Sequence, residues 1–282
     1  MRVRIAVAAA LIVAGACSKQ QAPPPPSQSQ TPPAPAAPTA VTIHARDFAY
    51  QAPDSIPAGY VALTLVNDGP GIHHAAIARL DSGKTVKDLA AALGHPGPIP
   101  SWAVLLGGPN AVAAGESTNA TLMLTPGDYV MLCFVTVPGG VPHFEKGMLH
   151  AFTVVPSTVA TAEPVADDSI TLVEYAFKFS KPLTTGHHTF AVTNAGVQAH
   201  ELEFVKLAPG KTAKELIAWL DTGKGPAPGD PIGGASLEDP GKTMYFSADF
   251  TPGNYVLICF VPDAKDGKPH FMHGMVQTIT LK

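Results

Sequence analysis

Short stretches of alternating apolar and polar residues recur along the chain from position 41 onward, and prolines and glycines separate them. In the first part of the chain these stretches cover residues 41–43, 60–66, 75–80, 117–124, 129–134 and 149–155. Such alternation is typical of β-strands with one buried face. One stretch differs, because Thr85 and Asp88 stand three positions apart before the apolar run at 89–93, which is the pattern of a capping box. We therefore predict strands with one short helix.

The same order of elements returns in the second part of the chain. His73 matches His200 and Cys133 matches Cys259, and the two pairs have the same spacing to within one position. The capping pattern also recurs, beginning at Thr212. Many short strands with a single small helix predict a two-sheet sandwich with Greek-key connections. The predicted fold class is all-β, with two tandem β-sandwich domains that each carry one short helix.

Composition and the repeat divide the chain into segments. Residues 18–40 are rich in Pro, Gln, Ser, Thr and Ala, which predicts a semi-extended tether. We predict a first domain at 41–156, a linker at 157–168 and a second domain at 169–282. A length of 282 residues with 46% hydrophobic and 14% charged residues allows two globular cores.

The N-terminal segment, residues 1–17, has the pattern of a secretory signal. Arg2 and Arg4 precede an apolar run at 5–13, and small residues at 14–16 lead to Cys17. The apolar run is too short to span a bilayer well. The ending resembles a bacterial lipoprotein signal, in which the cysteine is lipidated and becomes the mature N-terminus. This implies export to the periplasm or outer surface with a lipid anchor at Cys17, and cleavage without lipidation is the alternative.

The net charge limits the possible partners of the chain, and the cysteine content limits the disulfides it can form. The formal net charge is −4, or −6 without the two arginines of the signal, and no basic cluster remains, which argues against a nucleic-acid partner. If Cys17 carries a lipid, the other two cysteines fall one per repeat and neither domain can form an internal disulfide. A Cys133–Cys259 bridge and two buried structural cysteines are the alternatives to two metal sites.

Each repeat ends in a strand-loop-strand segment that carries a cysteine, a histidine and a methionine in that order. These residues are Cys133, His143 and Met148 (C-x9-H-x4-M) in the first repeat and Cys259, His270 and Met275 (C-x10-H-x4-M) in the second. Thiolate, imidazole and thioether are the donors that copper prefers, with methionine as the usual long axial ligand. A further imidazole must come from elsewhere in each repeat, and His73 and His200 are the candidates.

At these residues the chain resembles the cupredoxins, the family of plastocyanin, azurin and the copper domains of nitrite reductases. In that family an N-x-G loop leads to the first histidine, a G-x-Y-x3-C strand carries the thiolate, and an H-x4-M loop leads into the last strand. The matching N-x-G loops begin at Asn67 and Asn194, and the matching strands begin at Gly127 and Gly253. In small cupredoxins an asparagine after the first histidine ties the two ligand loops together.

The resemblance implies two cupredoxin-like domains with one mononuclear copper each. In the first domain it makes His73, Cys133 and His143 the in-plane ligands, with Met148 axial. In the second domain it makes His200, Cys259 and His270 the in-plane ligands, with Met275 axial. Where the family has asparagine after the first histidine, this chain has His74 and Glu201.

The same resemblance implies an exported type 1 (blue) copper protein that carries electrons to an unidentified redox partner. In two-domain copper enzymes, histidines next to the cysteine pass electrons to a second copper centre. Here Leu132 and Phe134 flank the first cysteine, and Ile258 and Phe260 flank the second, so we predict that the chain is not an enzyme. Copper storage or delivery, with a protein copper donor or acceptor, and a metal-free binding module are the alternative functions.

Overall fold

The computed structural model describes residues 34–95, 97–137, 139–220 and 222–282. The signal segment with Cys17 and most of the tether lie outside these residues, so their predictions are not addressed by the fold. Residues 35–282 form one compact unit, and the domain boundaries at 156 and 169 stay predictions. Within the described ranges, no helix has both the length and the apolar character needed to cross a membrane.

The first half of the described chain contains nine strands, one α-helix and one short 3-10 helix. The strands are β1 (Thr39–Arg46), β2 (Ala49–Gln51), β3 (Ser55–Pro57), β4 (Gly59–Asn67), β5 (Ala76–Leu80), β6 (Ala103–Leu105), β7 (Ser117–Leu124), β8 (Gly127–Leu132) and β9 (Leu149–Val155). The helices are α1 (Val86–Leu93) and the 3-10 helix His143–Lys146. The predicted strands at 117–124 and 149–155 therefore have the bounds that the pattern indicated.

The second half repeats this order with eight strands and the same two kinds of helix. The strands are β10 (Asp168–Val173), β11 (Ala176–Phe179), β12 (Gly186–Asn194), β13 (His200–Leu207), β14 (Gly229–Glu238), β15 (Thr243–Phe250), β16 (Gly253–Ile258) and β17 (Val276–Leu281). The helices are α2 (Ala213–Leu220) and the 3-10 helix His270–His273. The all-β prediction is confirmed.

The predicted capping boxes start both α-helices. The backbone N–H of Asp88 donates to Thr85 Oγ1 at 3.2 Å, and the N–H of Thr85 donates to the Asp88 carboxylate at 2.9 Å. Thr212 and Glu215 make the same reciprocal pair, at 3.2 and 2.9 Å. Each box satisfies backbone donors that the first helical turn leaves free.

Three sheets arrange the strands into sandwiches around a largely continuous apolar core. A five-stranded sheet, β3-β9-β8-β5-β6, belongs to the first half, and a four-stranded sheet, β14-β13-β16-β17, to the second. The eight-stranded sheet, β11-β10-β12-β15-β7-β4-β1-β2, runs through both halves. The halves join in it where β7 and β15 pair antiparallel at Thr121 and Tyr245.

The two stretches rich in proline and glycine, 94–109 and 221–234, have a composition that is typical of loops. They contain β6 and the start of β14. The first continues as a backbone pairing with β14, in which Gly107 N donates to Leu237 O at 2.9 Å and Ser236 N donates to Gly108 O at 3.0 Å. Gly108 has a φ of +144°, and a Cβ there would lie 2.1 Å from Ala75 O. Glycine is thus required for close strand approach, a role that sequence composition does not distinguish from loop formation.

Candidate metal centres

A buried asparagine folds the loop that delivers the first histidine of the first half. Asn67 Nδ2 donates to Gly71 O at 2.8 Å and to Val112 O at 3.0 Å, and its Oδ1 accepts from Gly69 N at 3.0 Å. These hydrogen bonds satisfy the buried side-chain amide and hold the loop against the backbone at Val112. His73, at the end of the loop, is consequently turned inward and has no exposed surface.

The second half builds the same loop from Asn194. Its Nδ2 donates to Gln198 O at 2.9 Å and to Glu238 O at 2.7 Å, and its Oδ1 accepts from Gly196 N at 2.9 Å. His200 follows and is fully buried. A Cβ at position 196 would lie 2.7 Å from His200 Nε2, so the glycine of the N-x-G pattern leaves room for the imidazole.

Backbone hydrogen bonds connect the cysteine, the second histidine and the methionine of the first half. Cys133 follows β8, and its N–H donates to Met148 O at 3.3 Å. The N–H of Met148 donates in turn to His143 O at 3.0 Å. Gly147 ends the 3-10 helix with a φ of +103°, a left-handed conformation that turns the chain toward the methionine. All three candidate ligands are therefore held by strand and helix backbone.

The corresponding segment of the second half has the same bonds. Cys259 N donates to Met275 O at 3.3 Å, and Met275 N donates to His270 O at 3.0 Å. Gly274 takes the left-handed conformation, with a φ of +104°. The small difference in loop length between the halves leaves this arrangement unchanged.

The donor atoms of the first half converge in the protein interior. His73 Nδ1 lies 3.2 Å from His143 Nδ1, which lies 3.6 Å from Cys133 Sγ. The three ligand atoms are all within 4.8 Å of one another. Met148 is fully buried. The structure thus brings together side chains from distant parts of the first half.

The second half brings its donors together slightly more tightly. His200 Nδ1 lies 3.0 Å from His270 Nδ1, which lies 3.4 Å from Cys259 Sγ. None of these three residues has exposed surface, and neither has Met275. Cys133 and Cys259 are both free thiols, so the alternative of a disulfide between them is wrong.

A tight turn that sequence reasoning missed contacts both histidines of the first half. Asp47 Oδ1 lies 2.8 Å from His73 Nε2, which favours a proton on that nitrogen and leaves Nδ1 as an acceptor. The next residue, Phe48, has a φ of +66° and lies edge-on to His143 with ring centroids 5.1 Å apart. The carboxylate orients one imidazole, and the aromatic ring covers the other.

The equivalent turn of the second half carries Glu174 and Tyr175. Glu174 Oε1 lies 3.6 Å from His200 Nε2, and the Tyr175 ring lies 5.6 Å from that of His270. Tyr175 also has a positive φ, +63°, and its hydroxyl donates to Asp263 Oδ2 at 2.6 Å. The sequence signal for both turns was an acid followed by an aromatic residue, which recurs at the spacing that relates the first histidines of the two repeats.

Burial sets the protonation of the candidate ligands. Burial lowers the pKa of His270 to about 4 and also lowers the pKa values of His73, His143 and His200. Burial raises the pKa of the Cys133 thiol to about 11 and that of Cys259 as well. At neutral pH the metal-free centres hence hold neutral imidazoles and protonated thiols.

His74 and Glu201, the residues directly after the first histidines, each accept a hydrogen bond from the backbone next to a cysteine. The N–H of Phe134, next to Cys133, donates to His74 Nε2 at 2.7 Å. The N–H of Phe260 donates to Glu201 Oε1 at 2.8 Å. His74 and Glu201 thus each supply an acceptor for the amide that follows the cysteine.

The two centres differ in what contacts the sulfur. In the first half the Tyr50 hydroxyl contacts the Cys133 thiol and donates to His74 O. Phe177 stands at the matching position of the second repeat and has no hydroxyl. There Glu201 N donates to Cys259 Sγ at 3.4 Å. Contacts to the sulfur tune a thiolate-copper site, so the two centres are not equivalent.

This donor set fits copper. Two neutral imidazoles whose Nδ1 atoms face each other, with a thiol beside them, offer lone pairs directed at a common space. A trigonal arrangement of two histidines and one cysteine with a weak methionine is the ligand set of blue-copper sites. A further group, Asp263, Asp266 and His273, also has ligand atoms within 4.8 Å, but its members already bond to each other and to nearby backbone.

Comparison with known proteins gives likenesses among solved structures. No protein-family model matches the chain, and no curated protein matches it. A dithionite-reduced auracyanin from Roseiflexus castenholzii is 25% identical, with 43% of this chain and 99% of that chain covered and a TM-score of 0.30. A copper-containing nitrite reductase from Thermus scotoductus is 15% identical, with 87% of this chain and 62% of that chain covered and a TM-score of 0.26.

A blue copper oxidase from Nitrosomonas europaea is 14% identical, with 87% of this chain and 86% of that chain covered and a TM-score of 0.25. With TM-scores this low, none of these likenesses assigns an activity to the chain. The prediction that the chain is not an enzyme is nevertheless contradicted, because structures matching most of its length include a reductase and an oxidase. The missing histidine beside each cysteine excludes one electron relay and does not exclude catalysis as such.

The fold and the centres agree with the resemblance found in the sequence. The described chain consists of two β-sandwich halves of matching strand order. Each half holds a buried histidine-cysteine-histidine set and a buried methionine at corresponding positions. This combination confirms, for each half, the β-sandwich fold and the donor set that the resemblance to cupredoxins predicted.

Proposed function

We propose that this chain is an exported type 1 copper protein that transfers electrons, with one copper in each half. The observation that carries the proposal is the pair of facing imidazole Nδ1 atoms, 3.2 Å apart in the first half and 3.0 Å in the second, each pair beside a buried thiol. The ligands of the first copper are His73, Cys133, His143 and Met148. The ligands of the second are His200, Cys259, His270 and Met275.

Bound copper supplies a one-electron couple between Cu(I) and Cu(II), which these donors suit in both states. The protein contributes rigidity and dryness. The cysteines directly follow β8 and β16, and backbone hydrogen bonds hold the histidines and methionines in place. Aromatic rings such as Phe48 and Tyr175 cover the imidazoles. Donors that are fixed before the metal arrives need little rearrangement when the charge of the metal changes.

Copper titration of the purified metal-free protein tests the proposal. We expect up to two copper ions per chain and an intense visible band from sulfur-to-copper charge transfer. Cys133→Ser and Cys259→Ser should each remove the share of one centre, and the double variant should lose the whole band. If the double variant kept the band, or if the wild type bound no copper, this assignment would be wrong.

Copper storage or delivery is the alternative use of the same ligands, with a copper donor or acceptor protein as partner. The ties from Phe134 N to His74 and from Phe260 N to Glu201 favour a fixed site for electron transfer. Voltammetry separates the two functions. A carrier gives a reversible one-electron wave with copper retained through repeated cycles. Loss of the metal to a Cu(I) chelator upon reduction would indicate delivery.

Export and anchoring are part of the proposal. The sequence of residues 1–17 supports lipidation at Cys17, which would hold the protein at the periplasmic or outer surface of a membrane. Stable anchoring requires more than one acyl chain, as a bacterial lipoprotein carries. Processing should be sensitive to globomycin, and Cys17→Ser should release the protein from membranes. A Cys17→Ser protein that still fractionated with membranes would contradict the anchor.

A further inference from the structure

One side chain between the two halves contacts the surroundings of both metal centres. Asn110 lies in the segment 106–112, which pairs with β14 of the second half, and only 2% of its surface is exposed. Its Nδ2 donates to Leu202 O at 3.0 Å and to Ala235 O at 3.1 Å. Because both partners are carbonyl oxygens, the amide orientation is fixed, and Oδ1 must point the other way.

The side-chain oxygen of Asn110 contacts a residue beside the first centre. His74 Nδ1 lies 3.2 Å from Asn110 Oδ1, and a carbonyl-type oxygen can only accept, so Nδ1 carries the proton. Nε2 of His74 is then free to accept from Phe134 N at 2.7 Å. The same tautomer satisfies both contacts. Since Phe134 follows Cys133 directly, Asn110 fixes the ring that holds the backbone of the first cysteine.

The side-chain nitrogen of Asn110 connects to the surroundings of the second centre. It donates a hydrogen bond to the carbonyl oxygen of Leu202, the residue after Glu201. Glu201 makes two contacts with the segment that carries the second cysteine. Its N–H donates to Cys259 Sγ at 3.4 Å, and its Oε1 accepts from Phe260 N at 2.8 Å. His74, Asn110 and Glu201 are all at least nine-tenths buried, so water does not compete for these bonds.

We propose that Asn110 is a positioning residue shared by the two copper centres, which makes them interdependent. The proposal rests on the proposed function, since it concerns the residues that support the copper ligands. Through His74 it orients the backbone after Cys133, and through the 201–202 peptide it orients the contacts to Cys259. Residues that orient ligands in this way commonly change metal affinity by about 10- to 100-fold when they are replaced.

The test observes each centre alone. Cys133→Ser leaves only the second centre coloured, and Cys259→Ser leaves only the first. Asn110→Ala is added to each background, and Asn119→Ala serves as the matched control. Asn119 also bridges the halves with two hydrogen bonds, to Ser247 O at 2.7 Å and from Ser247 N at 3.0 Å, but it contacts none of the candidate ligands.

We expect Asn110→Ala to shift the visible band and weaken copper affinity by roughly tenfold at each centre. Asn119→Ala should change neither band, although it removes the same number of bonds between the halves. Bands and affinities that are unchanged by Asn110→Ala at both centres would overturn the proposal, as would equal changes in the Asn119→Ala control. A change at one centre alone would overturn the sharing.

A second variant tests the oxygen and the nitrogen of the Asn110 side chain separately. It also shows whether the effect of Asn110→Ala is only a folding defect. Asn110→Asp keeps the volume and the oxygen that faces His74 but replaces the donor that faces Leu202 O and Ala235 O. It should therefore change the second centre while leaving the band of the first in place. The reverse pattern would contradict the assigned directions of the amide.

A measurement without copper separates this inference from the proposed function. In the metal-free protein, the amide hydrogens of Phe134 and Phe260 should exchange with solvent faster in Asn110→Ala than in the wild type or Asn119→Ala. Wild-type protein that binds no copper would overturn the proposed function only, and the exchange rates would still decide the role of Asn110. Unchanged exchange at both amides would overturn that role even if copper binds normally.

Discussion

Nδ1 of His200 lies 3.0 Å from Nδ1 of His270 in the interior of the second half, although the two residues are 70 positions apart. Neither imidazole has exposed surface, and burial lowers both pKa values, so the pair is uncharged at neutral pH. Two facing neutral imidazoles beside a thiol form a site ready for a soft or borderline cation.

The first prediction concerns protons released when copper binds. The thiol is the only one of the proposed ligands that is protonated on its donor atom near neutral pH, because burial raises the pKa of Cys133 to about 11 while the histidines are neutral. The metal requires the thiolate, so each copper should displace about one proton at pH 7. Calorimetry in buffers of different ionisation enthalpy measures the number. Release near zero would mean that the cysteines are not ligands.

The second prediction uses the difference between the centres. Tyr50→Phe removes the hydroxyl that contacts the Cys133 thiol and should shift the band and potential of the first centre only. The loss of one buried hydrogen bond should also cost about 1 kcal/mol of unfolding free energy. Spectra in the Cys133→Ser background should not change, since the second centre has Phe177 at the matching position. A shift in that background would contradict the assignment.

The third prediction concerns the pH dependence of stability that Glu238 causes. This residue is fully buried. Within the described residues, neither of its carboxyl oxygens has a hydrogen-bond partner. Burial raises its pKa well above the ordinary value, so its contribution to stability is complete below the unfolded-state pKa and is lost as pH rises through the folded-state pKa. Glu238→Gln should therefore gain stability relative to the wild type as pH rises from 5 to 8.

The gain should approach at most about 1.4 kcal/mol per pH unit, the free energy of one pKa unit. Thermal unfolding of the two proteins across this range measures it. Glu116→Gln, at an exposed position, is the control for exchanging a glutamate for a glutamine. A Glu238→Gln difference that stays constant from pH 5 to 8 would mean that the Glu238 carboxyl is ionised in the folded protein.

The fourth prediction tests the close approach of strands β13 and β14. Gly234 has a φ of +148°, and a Cβ there would lie 2.0 Å from Leu202 O, so Gly234→Ala must displace β14 from β13. We expect a loss of about 2–4 kcal/mol in urea unfolding. Gly241 has a φ of +76° with no atom within 4 Å of an added Cβ. Gly241→Ala should lose only about 1 kcal/mol, and equal losses would contradict the steric argument.

The amino-acid sequence by itself determined six of the nine strands of the first half, both capped helices and the positions of the candidate ligands, but it missed β2, β3 and β6. This was possible because these features depend on local chemistry. Alternation marks a half-buried strand, a threonine three positions before an acid marks a helix start, and two copies at a nearly constant offset make chance agreement improbable. The order of histidine, cysteine, histidine and methionine could be read without knowing any distance.

Only the tertiary structure decided which residues support the ligands and how the halves meet. Asp47 and Glu174 lie far from the cysteines in sequence, and nothing local distinguishes them from exposed acids of a turn. Glycine and proline dominate the stretch that leads to Asn110, and that composition is typical of loops. Its glycines instead permit close backbone pairing, and that pairing buries Asn110 between the two centres. Contacts of this kind depend on strands that are far apart along the chain, so no local pattern records them.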